Sequence, residues 1–379
     1  MDLDAFEVGY DIPARLGQRI DEVVTPALIV DLDHFERNLR RMRDFIERTG
    51  LRLRAHAKTH KSADIALLQI SEGGACGICC QKVSEAEALV RAGVRDILVS
   101  NEVWGEARID RLARLAATAR IIVCSDDIRS VHELNEAAQR HGSTLEVLVE
   151  IDCGAHRCGV EPGAAAVELA RAVEKAPSLR FEGLQAYQGS LQHIEDPVER
   201  RRQATSAAQA TRAVVEMLAV AGIECRTVGG AGTGSFAMDA SLGVINELQC
   251  GSYIFMDAHY DRVEEEGGGR PGGMENSLFV FAGVMSTAIA GRPVCDAGLK
   301  AIAVDSGLPR VDRPGVSYLR ASDEHGVLDD PDHVLDLGDW VRLVPGHCDP
   351  TCNLHDWYVT IRGERVEALW PVTARGKLF

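Results

Sequence analysis

From Thr25 to about Ala221, short aliphatic and β-branched runs alternate with longer stretches whose apolar residues recur every three or four positions. The first unit shows the logic. Ala27–Val30 is a continuous apolar run, and Asp33 offers an N-cap. Phe35, Leu39, Met42 and Ile46 then share one helical face, and Gly50 ends the helix. Further β runs are predicted at Leu53–Ala57, Gly77–Cys80, Ile97–Ser100, Ile121–Cys124, Leu145–Ile151, Phe181–Tyr187, Arg226–Val228 and Leu248–Ile254. Helical stretches separate most of them: Ser84–Ala92, Ile109–Ala117, Val131–Arg140, Ala164–Ala172 and Thr205–Ala221. That gives nine candidate strands where a closed (β/α)8 barrel needs eight, so the first or the last would lie outside it. The alternation predicts an α/β fold, a TIM barrel or a doubly wound sheet.

The rhythm breaks near residue 262. Glu264–Gly273 is acidic, then rich in glycine with one proline, and reads as a loop or linker. Beyond it, Leu278–Val284, Ala301–Val304, Trp340–Val344 and Trp357–Ile361 are β-like runs separated by turn residues. The expected organisation is a (β/α)8 barrel over 25–262 and a mainly β C-terminal domain over 263–379, with residues 1–24 packed onto the latter.

Composition narrows the function classes. With 379 residues, 46% hydrophobic and 26% charged, the chain can bury a substantial core. A net charge of -16 argues against a nucleic-acid or anionic-membrane surface, and means that an anionic substrate must be drawn in by local positive groups. The 11 cysteines are irregularly spaced, as in a reduced, intracellular protein, so the cytoplasm is expected. Residues 1–25 include Asp2, Asp4 and Glu7 and no apolar run, so no signal peptide is expected. No stretch approaches the roughly 20 apolar residues of a membrane span.

Three segments carry candidate chemistry. In Arg54–Lys61, Lys58 stands where a β run gives way to a helical one, the catalytic mouth of a barrel. Desolvation and the neighbouring His60 and Lys61 would lower its pKa toward that of a usable amine; alternatively the octapeptide is a solvated basic loop. Val228–Ser235 follows a β run with a Gly/Thr/Ser loop able to present backbone N–H groups to a phosphate, or else a plain tight turn. It lacks the Gly-Lys-Ser/Thr of a P-loop and makes a poor dinucleotide fingerprint. In Pro345–Pro350, an extended segment would project His347 and Asp349 to one face with Cys348 pointing away. One imidazole and one carboxylate suit Mg²⁺, Mn²⁺ or Co²⁺ better than structural zinc; a core histidine beside a capping aspartate is the alternative. Arg157 follows another β run and could hold an anionic oxygen or make a surface ion pair. Tyr187 and His193 follow the next, and His193 would suit general-base work. Cys76, Cys79 and Cys80 read as buried strand residues, since no second cysteine pair is placed to complete a metal knuckle.

Taken in order, these motifs resemble a known family. Thr25-Pro26-Ala27, Asp31-Leu32-Asp33 and His56–Lys61 look like the start of the fold-type III pyridoxal-phosphate enzymes, the alanine-racemase-like barrels. Cys79–Ala86, the Arg157 segment, Gly229–Ser235, Gln249–Tyr253, Asp323–Gly326 and Pro345–Thr351 extend the resemblance along essentially the whole chain. They point to the D-threonine aldolase and D-serine dehydratase branch. Glu7–Pro13, Ala186–Gly189 and His347–Asn353 look most like the 3-hydroxy-D-aspartate aldolases within it. Dehydratases of the branch usually show a His-X-Cys metal pair, and Asp349 in the third position favours aldol cleavage.

The resemblance implies that Lys58 bonds covalently to pyridoxal 5'-phosphate, with Gln81, Arg157, Tyr187, Gly232, Thr233, Gly234, Gly251, Ser252 and Tyr260 around the cofactor. Gly232–Gly234 and the Gly251–Ser252 amides would take the phosphate, and Arg157 would face the ring's phenolic oxygen. Gln249 stands where the racemases place an arginine against the pyridine nitrogen, which implies a less protonated ring. An ion on His347 and Asp349 would lower the pKa of the substrate β-hydroxyl, His193 would take its proton, and the Cα–Cβ bond would break to give an aldehyde and glycine. The implied substrate is a small D-3-hydroxy amino acid, best 3-hydroxy-D-aspartate giving glyoxylate, and the implied assembly is a homodimer. The rivals are a D-threonine aldolase, a D-serine or 3-hydroxyaspartate dehydratase, a non-catalytic pyridoxal-phosphate carrier and, more distantly, an NAD-dependent oxidoreductase. Residues 270–379 and the His347/Asp349 pair count against the carrier, which lacks such a domain.

Overall fold

The computed structural model describes residues 5–379. Eight parallel strands close a barrel: β2 (Arg52–His56), β3 (Gly77–Cys80), β4 (Asp96–Glu102), β5 (Arg120–Ser125), β6 (Leu145–Glu150), β7 (Leu179–Ala186), β8 (Thr227–Gly230) and β9 (Glu247–Leu248). Helices α2 (Ala63–Ser71), α3 (Val83–Arg91), α4 (Glu106–Leu115), α5 (Ile128–His141), α6 (Ala164–Lys175), α7 (Pro197–Val220) and α8 (Phe236–Leu242) connect them. Alternation within the strands separates two environments. Ile97 and Val99 pack outward against the helices, whereas Cys79, Leu98, Ile122, Cys124 and Leu148 form their own cluster inside the barrel.

Below that layer, near the N-terminal ends of the strands, lies a buried charge network. Arg54 bridges Glu247 at 2.8 Å and Asp96 at 2.5 Å, and Arg120 bridges Asp96, Glu146 and Glu182. Arg54 is only 1% exposed and Glu247 is as deeply buried, so that pair meets away from water, while Asp96 is partly exposed.

The first of the nine candidate strands is the one outside the barrel. β1 (Ala27–Asp31) lies in a second, nine-stranded sheet, antiparallel to β10 (Leu278–Ser286) and parallel to β16 (Trp357–Arg362). The division at 25–262 therefore assigns this strand to the wrong sheet. Its apolar run is continuous because both faces are covered: Leu28 and Val30 join the barrel-side core, and Ala27 and Ile29 pack with Ile12, Ala14, Ile20 and Val23. A strand buried on both faces has the same pattern in a barrel as in the middle of a covered sheet. Asp31, not Asp33, caps the following helix α1 (Leu32–Thr49), accepting the N–H groups of Asp33 and His34; Gly50 closes it at φ 70°.

The sheet continues through β11 (Val294–Cys295), β12 (Arg310–Val311), β13 (Ser317–Ala321), β14 (Gly326–Asp329), β15 (Trp340–Val344) and β17 (Arg365–Pro371). Ala301–Val304 is a loop rather than the strand its apolar content predicts: Ala301 and Ile302 bond back to Gly298 in a turn. After β15 the chain reaches α9 (Cys348–Cys352). Among the described residues no helix is long and apolar enough to cross a membrane.

Candidate active site

The barrel mouth holds a cavity of about 330 Å³ lined by Lys58, Gln81, Arg157, Tyr187 and Gln249, with His56 and Ser100 beside them. Each comes from the C-terminal end of a strand or the loop after it, where a barrel leaves side chains free of ladder packing. His56, the last residue of β2, is buried. Its Nδ1 accepts the Lys58 N–H at 3.3 Å, and its Nε2 lies 3.0 Å from Gln81 Nε2 and 3.1 Å from Ser100 Oγ. Burial, then the Lys58 charge, holds this imidazole well below the usual histidine pKa, so it is neutral. The Arg157 guanidinium stands over the Tyr187 ring at 5.6 Å and reaches Glu150 at 3.5 Å. Gln185 and Gln249 exchange two amide hydrogen bonds of 2.8 Å along one wall.

The second domain contributes from across the mouth. The Lys58 ammonium pairs with the Asp349 carboxylate. Burial alone would lower the Lys58 pKa, but Asp349 outweighs it and the net shift is upward; burial would likewise raise Asp349, and Lys58 and His347 pull it down. The expected depression of the Lys58 pKa is therefore corrected: the facing carboxylate reverses it. The groups invoked for it are engaged elsewhere. His60 is buried, bonded to Gln69 at 3.2 Å, and lowered to about 4 by burial, while Lys61 is buried and paired with Glu85 at 2.9 Å.

His347 and Asp349 are not two positions of one extended run. His347 is the extended N-cap residue, and Asp349 lies in the first turn of α9, which Pro350 can enter because its missing N–H is not needed there. Asp257 fixes this turn against the barrel by accepting the Cys348 N–H at 3.0 Å. His347 Nδ1 lies 2.7 Å from Asp305 Oδ2, which leaves Nε2 to face a ligand; Ser252 Oγ is 3.4 Å from Asp349 Oδ1. An imidazole oriented by a carboxylate, beside a second carboxylate, is a donor set that fits a divalent cation with open positions.

His193 stands in the turn Gly189–His193, stacked on His259 at 4.0 Å and 5.4 Å from the Tyr260 ring. Burial, then the charges of His259, His347 and Lys58, lowers it to about 4, so a neutral imidazole faces this side of the mouth. Tyr260 thus sits with His193 rather than among the residues lining the lysine cavity.

The glycine loop is placed less directly. Thr233 and Gly234 line a neighbouring cavity of about 270 Å³ with Arg200 and Arg201, and Gln192 stands against the loop, accepting the Gly234 N–H at 2.9 Å. A Cβ on Gly232 would fall 2.5 Å from Gln192 Oε1, and one on Gly251 would fall 2.5 Å from Thr59 Oγ1. Thr233 Oγ1 is buried without a hydrogen-bond partner. Bare backbone, an orphaned hydroxyl and a lysine cavity of this size fit pyridoxal phosphate, provided that Gln192 yields the Gly234 N–H.

Sequence reasoning missed His56, Ser100, Gln185, His259 and Asp305 as site residues. Ser100 closes a predicted β run and His56 sits in the Lys58 octapeptide, so the strand-end rule could have found both. Nothing local marks Asp305.

A barrel with a lysine at the end of its first strand, completed by a β domain that supplies a histidine and a carboxylate, defines a class. The family model described as "Alanine racemase, N-terminal domain" matches residues 30–259, and the chain belongs to that family. A second model, described as "Putative serine dehydratase domain", matches residues 277–361. Nearer relatives share the whole length. The chain is 52% identical to the 3-hydroxy-D-aspartate aldolase of Paracoccus denitrificans (strain Pd 1222), over 99% of this chain and 98% of that one. It is 45% identical to the D-threonine aldolase of Arthrobacter sp, over 96% of each. The crystal structure of D-threonine aldolase from Filomicrobium marinum superposes with a TM-score of 0.94 at 52% identity, covering 97% of this chain and 100% of that one. The fold and family that the motifs implied are borne out.

Proposed function

We propose that the protein cleaves D-configured 3-hydroxy amino acids between Cα and Cβ, with 3-hydroxy-D-aspartate giving glycine and glyoxylate. The observation that carries this reading is the meeting of Lys58 from the barrel with Asp349 from the β domain at one cavity mouth. It puts the amine that would hold pyridoxal phosphate beside the carboxylate that would hold an ion. The names of the full-length relatives support the reaction.

Pyridoxal phosphate, when bound, accepts the electron pair of the breaking bond. A divalent cation (Mg²⁺, Mn²⁺ or Co²⁺), when bound, makes the substrate hydroxyl more acidic. The chain's own residues supply the rest. Lys58 provides the amine, Gly232–Gly234 with Gly251 and Ser252 provide phosphate donors, Arg157, Tyr187 and Gln81 border the ring, and Gln249 offers a neutral amide. His347 and Asp349 are the protein's two ion ligands. His193 accepts the hydroxyl proton as the carbonyl of the aldehyde forms. The Cα left with the electron pair takes up a proton to become glycine. The second carboxylate of hydroxyaspartate needs a cationic partner; His60 and Lys61 are buried and engaged with Gln69 and Glu85, and the ion would supply that charge. A cytoplasmic homodimer belongs to the same proposal.

Each stereoisomer of 3-hydroxyaspartate and threonine is incubated separately, and glyoxylate, acetaldehyde, oxaloacetate and ammonia are assayed. Glyoxylate with equimolar glycine from the D-configured hydroxyaspartate is expected. Oxaloacetate with ammonia would make the protein a dehydratase. A marked preference for D-threonine would favour the second reading, to which the 45% and 52% identical threonine aldolases lend weight.

A further inference from the structure

We propose that Glu102, Asp126 and Cys158 form a second divalent-cation site, suited to a borderline-soft ion such as Zn²⁺, beside the cofactor cavity and next to the buried Glu150. Glu102 ends β4, Asp126 follows β5, Glu150 ends β6, and Cys158 lies in the next loop, so all four stand at the barrel mouth. One ligand atom each from Glu102, Asp126 and Cys158 lies within 4.8 Å of the others. Ligand atoms on a tetrahedral zinc stand roughly 3.5 Å apart, so the group needs only a small contraction to close on one ion. All three are partly exposed, which leaves an entry path.

A cluster of this kind could simply be solvated, but Glu150 argues otherwise. It is 3% exposed, and its Oε2 has no hydrogen-bond partner; Glu102 Oε1 is likewise buried and unpartnered. Burial, then the facing charge of Glu102, pushes the Glu150 acid up to about 8, with Asp126 adding to the repulsion. Arg157 is the positive group set against it, 3.5 Å from the other oxygen. The Glu102 and Glu150 carboxylates are thus close enough to repel, and each keeps a buried oxygen without a partner, an arrangement that a cation between them would relieve. The loop that brings in the thiol is anchored to the same place. The Gly159 N–H donates to Asp126 Oδ2 at 2.9 Å, and Gly159 has φ +101° with no room for a Cβ, since one would fall 2.6 Å from the Asp152 nitrogen. That turn presses Cys158 toward the carboxylates. The set shares no residue with His347 and Asp349.

The test is Zn²⁺ titration of the holoenzyme with iodoacetamide labelling, the extent at Cys158 being read by peptide mass. Zinc is expected to slow labelling of Cys158 by about tenfold or more, because a coordinated thiolate is withheld from the reagent. Glu102→Gln and Asp126→Asn should each lose that protection, and His347→Ala should keep it, which separates this site from the proposed catalytic ion. Bound zinc per chain should fall by one in Cys158→Ser while the bound cofactor's colour is retained. Labelling of wild-type Cys158 at an unchanged rate in saturating zinc would overturn the proposal and leave a Glu102–Glu150 carboxyl pair sharing a proton. Protection that survives both carboxamide variants but vanishes in His347→Ala would overturn it equally.

Discussion

Asp305 is the group through which the ion on His347 can be weakened without touching either ligand. Its Oδ2 lies 2.7 Å from His347 Nδ1, so the imidazole proton is held there and the Nε2 lone pair is turned outward. Asp305→Asn keeps the size and one acceptor but removes the charge that makes the imidazole a better donor. Partners of this kind are worth roughly 10–100-fold in metal affinity. The Asp305 side chain is 53% exposed, so solvent screens its charge and the effect belongs at the low end, about tenfold, or ~1.4 kcal/mol. Asp305→Ala also frees the ring to rotate and should approach ~100-fold. The assay is aldol cleavage in chelated enzyme as a function of added Mn²⁺, with the cofactor's absorbance as the control for an intact site. The half-saturating Mn²⁺ concentration should rise, while the rate at saturation stays near the wild-type value. Burial raises the Asp305 acid and the bond to His347 more than offsets it, for a net lowering. Its support for the imidazole is thus complete above the ordinary carboxylate pKa and fades only as pH falls through the lowered value. Equal half-saturation in wild type and both variants would refute the reasoning, since the ion then would not rest on an imidazole that Asp305 orients.

Borohydride should fix the cofactor on Lys58, and Lys58→Ala should abolish turnover; a label recovered on Lys61 would contradict the burial of that residue against Glu85. Chelation should remove activity and leave the yellow colour and the fold in place, because two protein ligands hold an ion far more loosely than a closed cage; full activity in chelator would exclude the metal-assisted route. Arg54→Ala should destabilise the protein by ~3–5 kcal/mol, by leaving Glu247 and Asp96 without the buried charge they meet. Urea unfolding reads this, and an unchanged midpoint would show that the barrel floor does not depend on the network.

How far the sequence carried depended on whether a residue's neighbours were near it in the chain. The barrel strands were readable because each is a short apolar run between helical stretches, and their C-terminal ends pointed to Lys58, Arg157 and Tyr187, which do converge. β1 has the same composition and could not be told apart. The start of α7 was missed although Asp196 caps it and Pro197 occupies N1, because Glu199–Gln203 is polar and shows no apolar period. Arg54 and Glu146 interrupt apolar strands and Asp96, Arg120 and Glu247 open them, a sign of an interior network that becomes meaningful only when the barrel closes. Asp305 and His259 lie in segments with no periodic pattern, and only tertiary contact gives them a place. The glycine loop was identified, but the side chain standing against it, Gln192, was not.

The place of β1 also governs the order in which the molecule can be assembled. It is made before every strand of the barrel, yet its ladder partners are β10 and β16, both made after the barrel. Until β10 is made, Ala27–Val30 is an apolar strand with two open edges, alongside a barrel whose own strands pair with sequence neighbours apart from the closing β2–β9 contact. Contacts of such high sequence separation form late and slowly. The nascent chain would therefore carry an unpartnered strand while the whole barrel is made, which is the condition under which a partly folded protein associates with copies of itself or depends on a chaperone.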